Sequence, residues 1–117
     1  MNILLTNNPL AAARSADRWD VKFFDDAAIA VLTAARDYIH CGHKLLTHPL
    51  ASSIPPKDSP FRSVLISGDV SGTDFDSVRI IESAINVYAK LTVTHTNIPQ
   101  NIAEDFMAID CDVILGR

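Results

Sequence analysis

The order of the apolar residues constrains the fold of this chain more than any other feature. Two short continuous apolar runs, Ile3–Leu5 and Val64–Ile66, are typical of strands that are covered on both faces. Elsewhere apolar residues recur at three- and four-residue intervals, which is typical of amphipathic helices. Strands that alternate with helices predict an α/β sandwich with a short, mostly parallel sheet flanked by helices.

The individual elements follow from the same patterns. The most regular helical pattern runs from Ala27 to His40, and Gly42 can close that helix in a left-handed conformation. A second long helix is predicted after Thr73, where Asp76 would complete a capping box. The remaining predicted elements are a helix over residues 11–18, strands over residues 21–24 and 44–47, and a helix after Pro99 with an apolar stripe of Ile102, Phe106, Ile109 and Val113.

Length and composition predict one α/β domain over residues 1–117. A chain of this size with 48% apolar residues can bury a sufficient core without disulfides or a structural metal. The net charge of -4 and the scattered lysines and arginines argue against a nucleic-acid partner. We expect no membrane partner and a cytoplasmic location, because no apolar run is long enough to span a bilayer and the N-terminus opens on a strand pattern. Cys41 and Cys111 are far apart and are expected to stay reduced.

Polar residues follow the predicted strands at the points where those strands end. Asn7 and Asn8 follow the first strand, Thr47 and His48 end the strand at 44–47, and Ser67 follows Val64–Ile66. Strands that run in the same direction finish at one edge of a sheet, and ligands of α/β proteins settle at that edge. We therefore expect Asn7, Asn8, Thr47 and His48 to contribute to a ligand site.

The long loop over residues 48–62 is the second part of this predicted site. Its prolines exclude a crossover helix, and loops of this length are often binding loops. The amides near Ser52 and Ser53, with the cations Lys57 and Arg62, could bind a small polar or anionic ligand. The alternative interpretation is that Lys57 and Arg62 only solvate the loop and that the asparagines only cap helices.

Other chemistry finds less support in the sequence. The possible metal ligands His40, Cys41, His43 and His48 are separated by a helix end and an extended strand, so we predict no metal. The turn over residues 68–72 lacks the spacing of a nucleotide-binding loop, and we predict no cofactor. A hydroxyl nucleophile beside His48 would need a supporting frame that the sequence does not show.

Several of these segments together resemble the GrdX family. The segments are Thr6-Asn7-Asn8-Pro9, the stretch from Gly42 to Leu50 that contains HKLLTHPL, Ser53 with Pro55 or Pro56, Ser59-Pro60-Phe61 and Glu104-Asp105-Phe106. The resemblance implies a small protein encoded beside the selenium-dependent glycine, sarcosine or betaine reductase systems of amino-acid-fermenting anaerobes. It implies no particular activity and no catalytic residues.

Three functional hypotheses remain open at this point. The first is a non-enzymatic accessory protein that binds a small ligand or a reductase subunit at the strand-end edge. The second is a small enzyme that uses His48 as an acid or base with Thr47 or Ser53 near the substrate. The third is an interaction module that binds a reductase subunit through an apolar helix face.

Overall fold

The computed structural model describes residues 1–51, 58–91 and 98–116. The predicted site residues Ser52, Ser53 and Lys57 lie outside these ranges. The strands are β1 (Ile3–Thr6), β2 (Asp20–Phe23) and β3 (Ser63–Ile66), and the helices are α1 (Pro9–Ser15), α2 (Ala28–His40), α3 (Phe75–Ala89) and α4 (Gln100–Leu115).

The three strands form one mixed sheet in the order β2-β1-β3. β1 pairs with β2 in parallel, with Ile3 opposite Asp20. β1 pairs with β3 in the antiparallel direction, with Thr6 opposite Ser63. The α/β prediction is therefore confirmed, with one parallel and one antiparallel pair in the described sheet.

The predicted strand over residues 44–47 is reduced to a single bridge between Leu45 and Ile66. Two backbone bonds form this bridge, from the Leu46 N–H to the Leu65 carbonyl at 2.9 Å and from the Ser67 N–H to the Lys44 carbonyl at 2.8 Å. Beyond them side-chain oxygens take the place of further ladder bonds: the Lys44 N–H donates to Ser67 Oγ at 2.9 Å, and the Leu65 N–H donates to Thr47 Oγ1 at 3.0 Å. Hydroxyl groups that bond to the backbone compete with strand pairing. The prediction of a fourth strand is wrong for this reason.

Alternation along the strands divides the core between two faces of the sheet. The face covered by α2 and α3 buries Ile3, Leu5, Val31, Leu32, Ala35, Ile39, Val64, Ile66, Ile81 and Ala84. The face covered by α1 and α4 buries the smaller set Leu4, Ala11, Cys111 and Ile114. Because successive residues of a strand point to opposite faces, one continuous apolar run supplies both cores.

The helix ends show how local sequence sets the element bounds. Asn8 caps α1, and Pro9 occupies its first turn, as the sequence predicts. Gly42 follows the end of α2 with φ of 105°, a conformation that glycine adopts without strain. The cap of α3 is Asp74, whose carboxylate accepts the Ser77 N–H, so the predicted Thr73–Asp76 capping box is wrong by one residue.

The apolar stripe predicted for α4 is wrong. The helix buries Asp110, Cys111 and Ile114, while Ile102 is 42% exposed and Val113 is 41% exposed. Apolar residues surround much of this helix, so periodicity permits more than one buried face. The observed rotation of the helix brings the Asp110 carboxylate to polar partners on the sheet.

Candidate functional site

The candidate site lies at the sheet edge where β1 ends and β3 begins. Because these two strands are antiparallel, Arg62 and Ser63 lie beside Thr6 and Asn7 at this edge. The same geometry sends Ser67 to the opposite edge. The expectation that Ser67 shares an edge with Asn7 is therefore wrong, and the start of β3 takes its place.

Asn7 joins three chain segments at this edge. Its Nδ2 donates to the carbonyl oxygens of Asp26 at 3.0 Å and Pro60 at 2.9 Å, and its Oδ1 accepts the Arg62 N–H at 2.9 Å. The residue is 7% exposed. The side chain thus fixes the backbone of Arg62, in addition to any role that it has toward a ligand.

Asn8 belongs to a separate buried network with Asp110. Its Oδ1 accepts the Leu10 N–H at 3.0 Å, while its Nδ2 donates to Asp110 Oδ2 and to the Met107 carbonyl, both at 2.9 Å. The capping role that the sequence predicts is present. The same amide also holds α4 against the start of α1, which capping alone does not require.

Two hydroxyl groups extend this network across β1 and β3. The Asn8 N–H donates to Thr6 Oγ1 at 3.0 Å, the Thr6 and Ser63 hydroxyl oxygens lie 2.7 Å apart, and Ser63 donates to Asp110 Oδ2 at 2.6 Å. With Ser63 as donor to the carboxylate, Thr6 donates to Ser63. Hydrogen bonds in such a chain polarise one another in the same direction.

Burial dominates the electrostatics of Asp110. It raises the pKa of the carboxyl group, although the hydrogen bonds from Ser63 and Asn8 and the charge of Arg62 act in the opposite direction. The residue is only 6% exposed. The network therefore holds a carboxyl group that resists ionisation at the polar corner of the sheet.

Arg62, one of the two cations that the sequence offers for ligand binding, is buried rather than exposed on the loop. It is 1% exposed, its Nε donates to the Tyr88 hydroxyl oxygen at 2.7 Å, and its Nη2 has no hydrogen-bond partner among the described residues. The interpretation that Arg62 only solvates a loop is wrong. None of the ion pairs in the described parts of the chain includes Arg62, so a buried guanidinium retains an unused donor.

Tyr88 accepts that bond from α3, and its surroundings affect its ionisation. Burial raises the pKa of the phenol, and the charge of Arg62 partly offsets the shift. The hydroxyl therefore keeps its proton at neutral pH. Since its oxygen accepts from Arg62, the Tyr88 O–H remains a donor.

Thr47 and His48 lie toward the same edge. Leu45 pairs with β3 in the antiparallel direction, so residues 44–47 run in the same direction as β1. Thr47 Oγ1 accepts the Leu65 N–H, and His48 Nδ1 accepts the Leu50 N–H at 3.1 Å. His48 is exposed while Thr47 is half-buried. Each side chain accepts a hydrogen bond from a nearby backbone N–H, and the predicted role of both residues in ligand binding stays a prediction.

Sequence reasoning missed Tyr88, Ser63 and Asp110 as parts of this edge. Tyr88 continues the helical spacing of Ile81 and Ile85, so it fits an apolar stripe, and its hydroxyl gave no separate signal. The sequence did contain a signal for the burial of Arg62. This cation lies two residues before the apolar run Val64–Ile66, where a strand is expected to be buried.

The histidines and cysteines that could bind a metal lie apart or have other contacts in the structure. No three His, Cys, Asp or Glu side chains in residues 1–51, 58–91 and 98–116 are grouped so that they could hold a metal ion. His40 Nε2 instead lies 3.6 Å from Glu82 Oε1.

Both thiols are free, with Cys41 exposed and Cys111 buried on the inner side of α4. No helix within the described parts of the chain is both long and apolar enough to cross a membrane.

Fold and site together define a small α/β protein with a buried polar corner at one edge of a mixed sheet. The family model described as GrdX-like protein matches residues 3–116. The chain belongs to this GrdX-like family, which confirms the resemblance found in the sequence. Comparisons with curated proteins and with solved structures gave no match.

Proposed function

We propose that this chain is a non-enzymatic accessory protein of a glycine, sarcosine or betaine reductase system. It binds a small polar or anionic ligand, or a reductase subunit, at the edge where β1 ends. The reductase system enters this proposal through the family resemblance. The observation that carries the binding role is the buried Arg62 guanidinium with its unpaired Nη2.

The energetics of burial support a ligand at this position. Arginine stays charged in proteins, and a buried charge without a partner is costly. An acceptor oxygen supplied by a ligand would satisfy Nη2 and reduce that cost. A buried donor with no described partner is therefore better explained by binding than by packing.

The surroundings hold Arg62 in one arrangement before any ligand arrives. Asn7 fixes its backbone N–H, and Tyr88 fixes its Nε. Preorganised donors bind more tightly because less conformational freedom is lost on binding. Thr47 and His48 lie toward the same edge and are further contacts under this proposal, as are Ser52, Ser53 and Lys57 on the loop.

Binding is preferred to catalysis because of the bonds that Thr47 and His48 make. Each side chain accepts a backbone N–H, and these bonds do not join the two residues into a nucleophile–base pair. An enzyme that used His48 as its base would need that pairing, or its equivalent through a substrate. The observed contacts instead shape the backbone of residues 47–50.

Native mass spectrometry of the chain purified from its own host tests this proposal. We expect the wild-type chain to retain a small molecule or to capture a reductase subunit. Arg62→Gln should lose this species, because it removes the guanidinium donor. Arg79→Gln is the matched control, since Arg79 is exposed and pairs only with Asp76 at 3.2 Å among the described residues.

Circular dichroism melting accompanies the mass measurement, because Arg62→Gln also removes a buried group. A folded Arg62→Gln chain that retains the same species as the wild type would contradict the proposed edge. A wild-type chain that carries no small molecule and captures no reductase subunit would contradict the accessory role itself.

A further inference from the structure

Beside the contact between Arg62 and Tyr88, two hydrogen-bond donors, Arg62 Nη2 and the Tyr88 O–H, have no acceptor among the described residues. Nε and Nη2 are bonded to the same carbon of the guanidinium, and Nε already donates to the Tyr88 oxygen at 2.7 Å. Nη2 has no described partner. The Tyr88 hydroxyl accepts through its oxygen, and its own hydrogen is donated to none of the described residues. One ligand oxygen placed beside Arg62 and Tyr88 can accept from both Nη2 and the Tyr88 O–H.

The charge around this pair limits what it can bind. Arg62 carries one positive charge, and the ion pairs of the described residues do not include it. The nearby Asp110 carboxyl can only add negative charge. A ligand with one negative charge balances Arg62, whereas a dianion would leave a buried charge without a partner.

We propose that Arg62 Nη2 and the Tyr88 hydroxyl together bind the carboxylate of a small monoanionic or zwitterionic ligand. This inference rests on the proposed function and names the ligand class of the same edge. A carboxylate offers planar acceptor oxygens that suit a guanidinium. Nη2 is closed off from solvent, so neighbouring groups move when the ligand enters.

Titration with sodium acetate tests this inference, with inorganic phosphate at mildly alkaline pH as the dianionic probe and constant ionic strength throughout. We expect acetate in the millimolar range to raise the melting temperature of the wild-type chain, and phosphate to have no such effect. Tyr88→Phe keeps the ring but removes the hydroxyl. It should weaken acetate binding about 10-fold or more, the effect of losing a hydrogen bond to a charged group.

Tyr38→Phe is the matched control, because Tyr38 packs edge-on against His43 and the hydrogen bond of Arg62 goes to Tyr88 instead. It should bind acetate as the wild type does. Equal acetate affinity in Tyr88→Phe and wild type overturns the inference, and so does binding of phosphate in preference to acetate. Absence of acetate binding by the folded wild-type chain also overturns it. In that last case, capture of a reductase subunit from the host would still support the accessory role.

Discussion

The two faces of the sheet are built on different principles. The face under α2 and α3 is packed by a large set of buried aliphatic side chains. The face under α1 and α4 buries fewer apolar residues and ends in the network of Thr6, Asn8, Ser63 and Asp110. A single strand supplies both faces, because β1 points Leu5 to one side and Thr6 to the other.

The two faces therefore make different contributions: one mainly stabilises the fold, and the other mainly fixes the relative positions of its elements. Apolar burial stabilises in proportion to area and is not directional, so the α2/α3 face can bear most of the stability. Hydrogen bonds are directional, and the polar face uses them to fix where α1, α4 and the start of β3 meet. We therefore expect substitutions on the two faces to affect the protein differently: those on the apolar face should lower its stability most, and those on the polar face should disturb how α1, α4 and β3 are positioned.

The largest effect should come from the apolar face. Ile81→Ala removes a fully buried α3 side chain from the core that it shares with α2 and the sheet, and leaves a cavity. We expect a loss of about 2–5 kcal/mol in the free energy of unfolding, measured by urea denaturation. Val87→Ala on the same helix is the control, since Val87 is 38% exposed. Equal losses in the two variants would contradict the assignment of this face.

Asn8→Ala tests the polar face and should have the next largest effect. It removes the cap of α1 and leaves the Met107 carbonyl and Asp110 without their amide donor. The expected loss is about 2–3 kcal/mol, from the cap and from the buried hydrogen bonds to Asp110 and Met107 together. Asn101→Ala at an exposed position of α4 is the control. A loss well below 1 kcal/mol for Asn8→Ala would show that water replaces these bonds, roughly as at a surface site.

Asp110→Asn sharpens the comparison through pH. The folded-state pKa of Asp110 is raised above 3.8 by burial, so the protonated form stabilises the fold and that contribution is lost as pH rises through the folded-state pKa. The Asp110→Asn variant stays neutral and keeps an acceptor oxygen for Ser63 and Asn8. Its stability relative to wild type should rise between about pH 4 and pH 7, by about 1.4 kcal/mol per unit of pKa difference.

Urea denaturation at both pH values measures this change. Asp76→Asn is the control, because Asp76 is exposed and its carboxylate pairs with Arg79 at the surface. If the stability difference between Asp110→Asn and wild type is the same at both pH values, ionisation of Asp110 does not destabilise the folded protein.

His48→Ala should have the smallest effect on folding. The side chain is exposed and contributes one hydrogen bond, from the Leu50 N–H. We expect the free energy of unfolding to change by less than about 0.5 kcal/mol, as for most surface substitutions. A much larger loss would mean that His48 maintains the turn before Leu50, and its predicted ligand role would then need a separate test.

The fold was largely predictable from the sequence because its signals are periodic. The apolar runs at Ile3–Leu5 and Val64–Ile66 and the stripes of α2 and α3 are patterns that a core must cover. The direction of β3 was not predictable, since a short apolar run does not say which way it will pair. Once β3 runs antiparallel, Ser67 leaves the candidate edge and Ser63 enters it.

The site was less predictable because its contacts join distant positions by single side chains. Asn8 and Asp110 are 102 residues apart, and no local pattern marks their hydrogen bond. The buried face of α4 includes Asp110, a charged position that apolar periodicity does not assign to a core, and periodicity therefore selected the wrong stripe. Polar partners found only in three dimensions can override a weak apolar preference around a helix.

The three bonds of Asn7 also have a consequence for the order of folding. They span 19, 53 and 55 residues of chain, to Asp26, Pro60 and Arg62. Contacts that close such long loops form only after much of their entropy cost has been met. We expect Asn7→Ala to accelerate unfolding while leaving the refolding rate nearly unchanged, which stopped-flow kinetics in urea would show. The candidate edge would then be the last part of the molecule to assemble and the first to open.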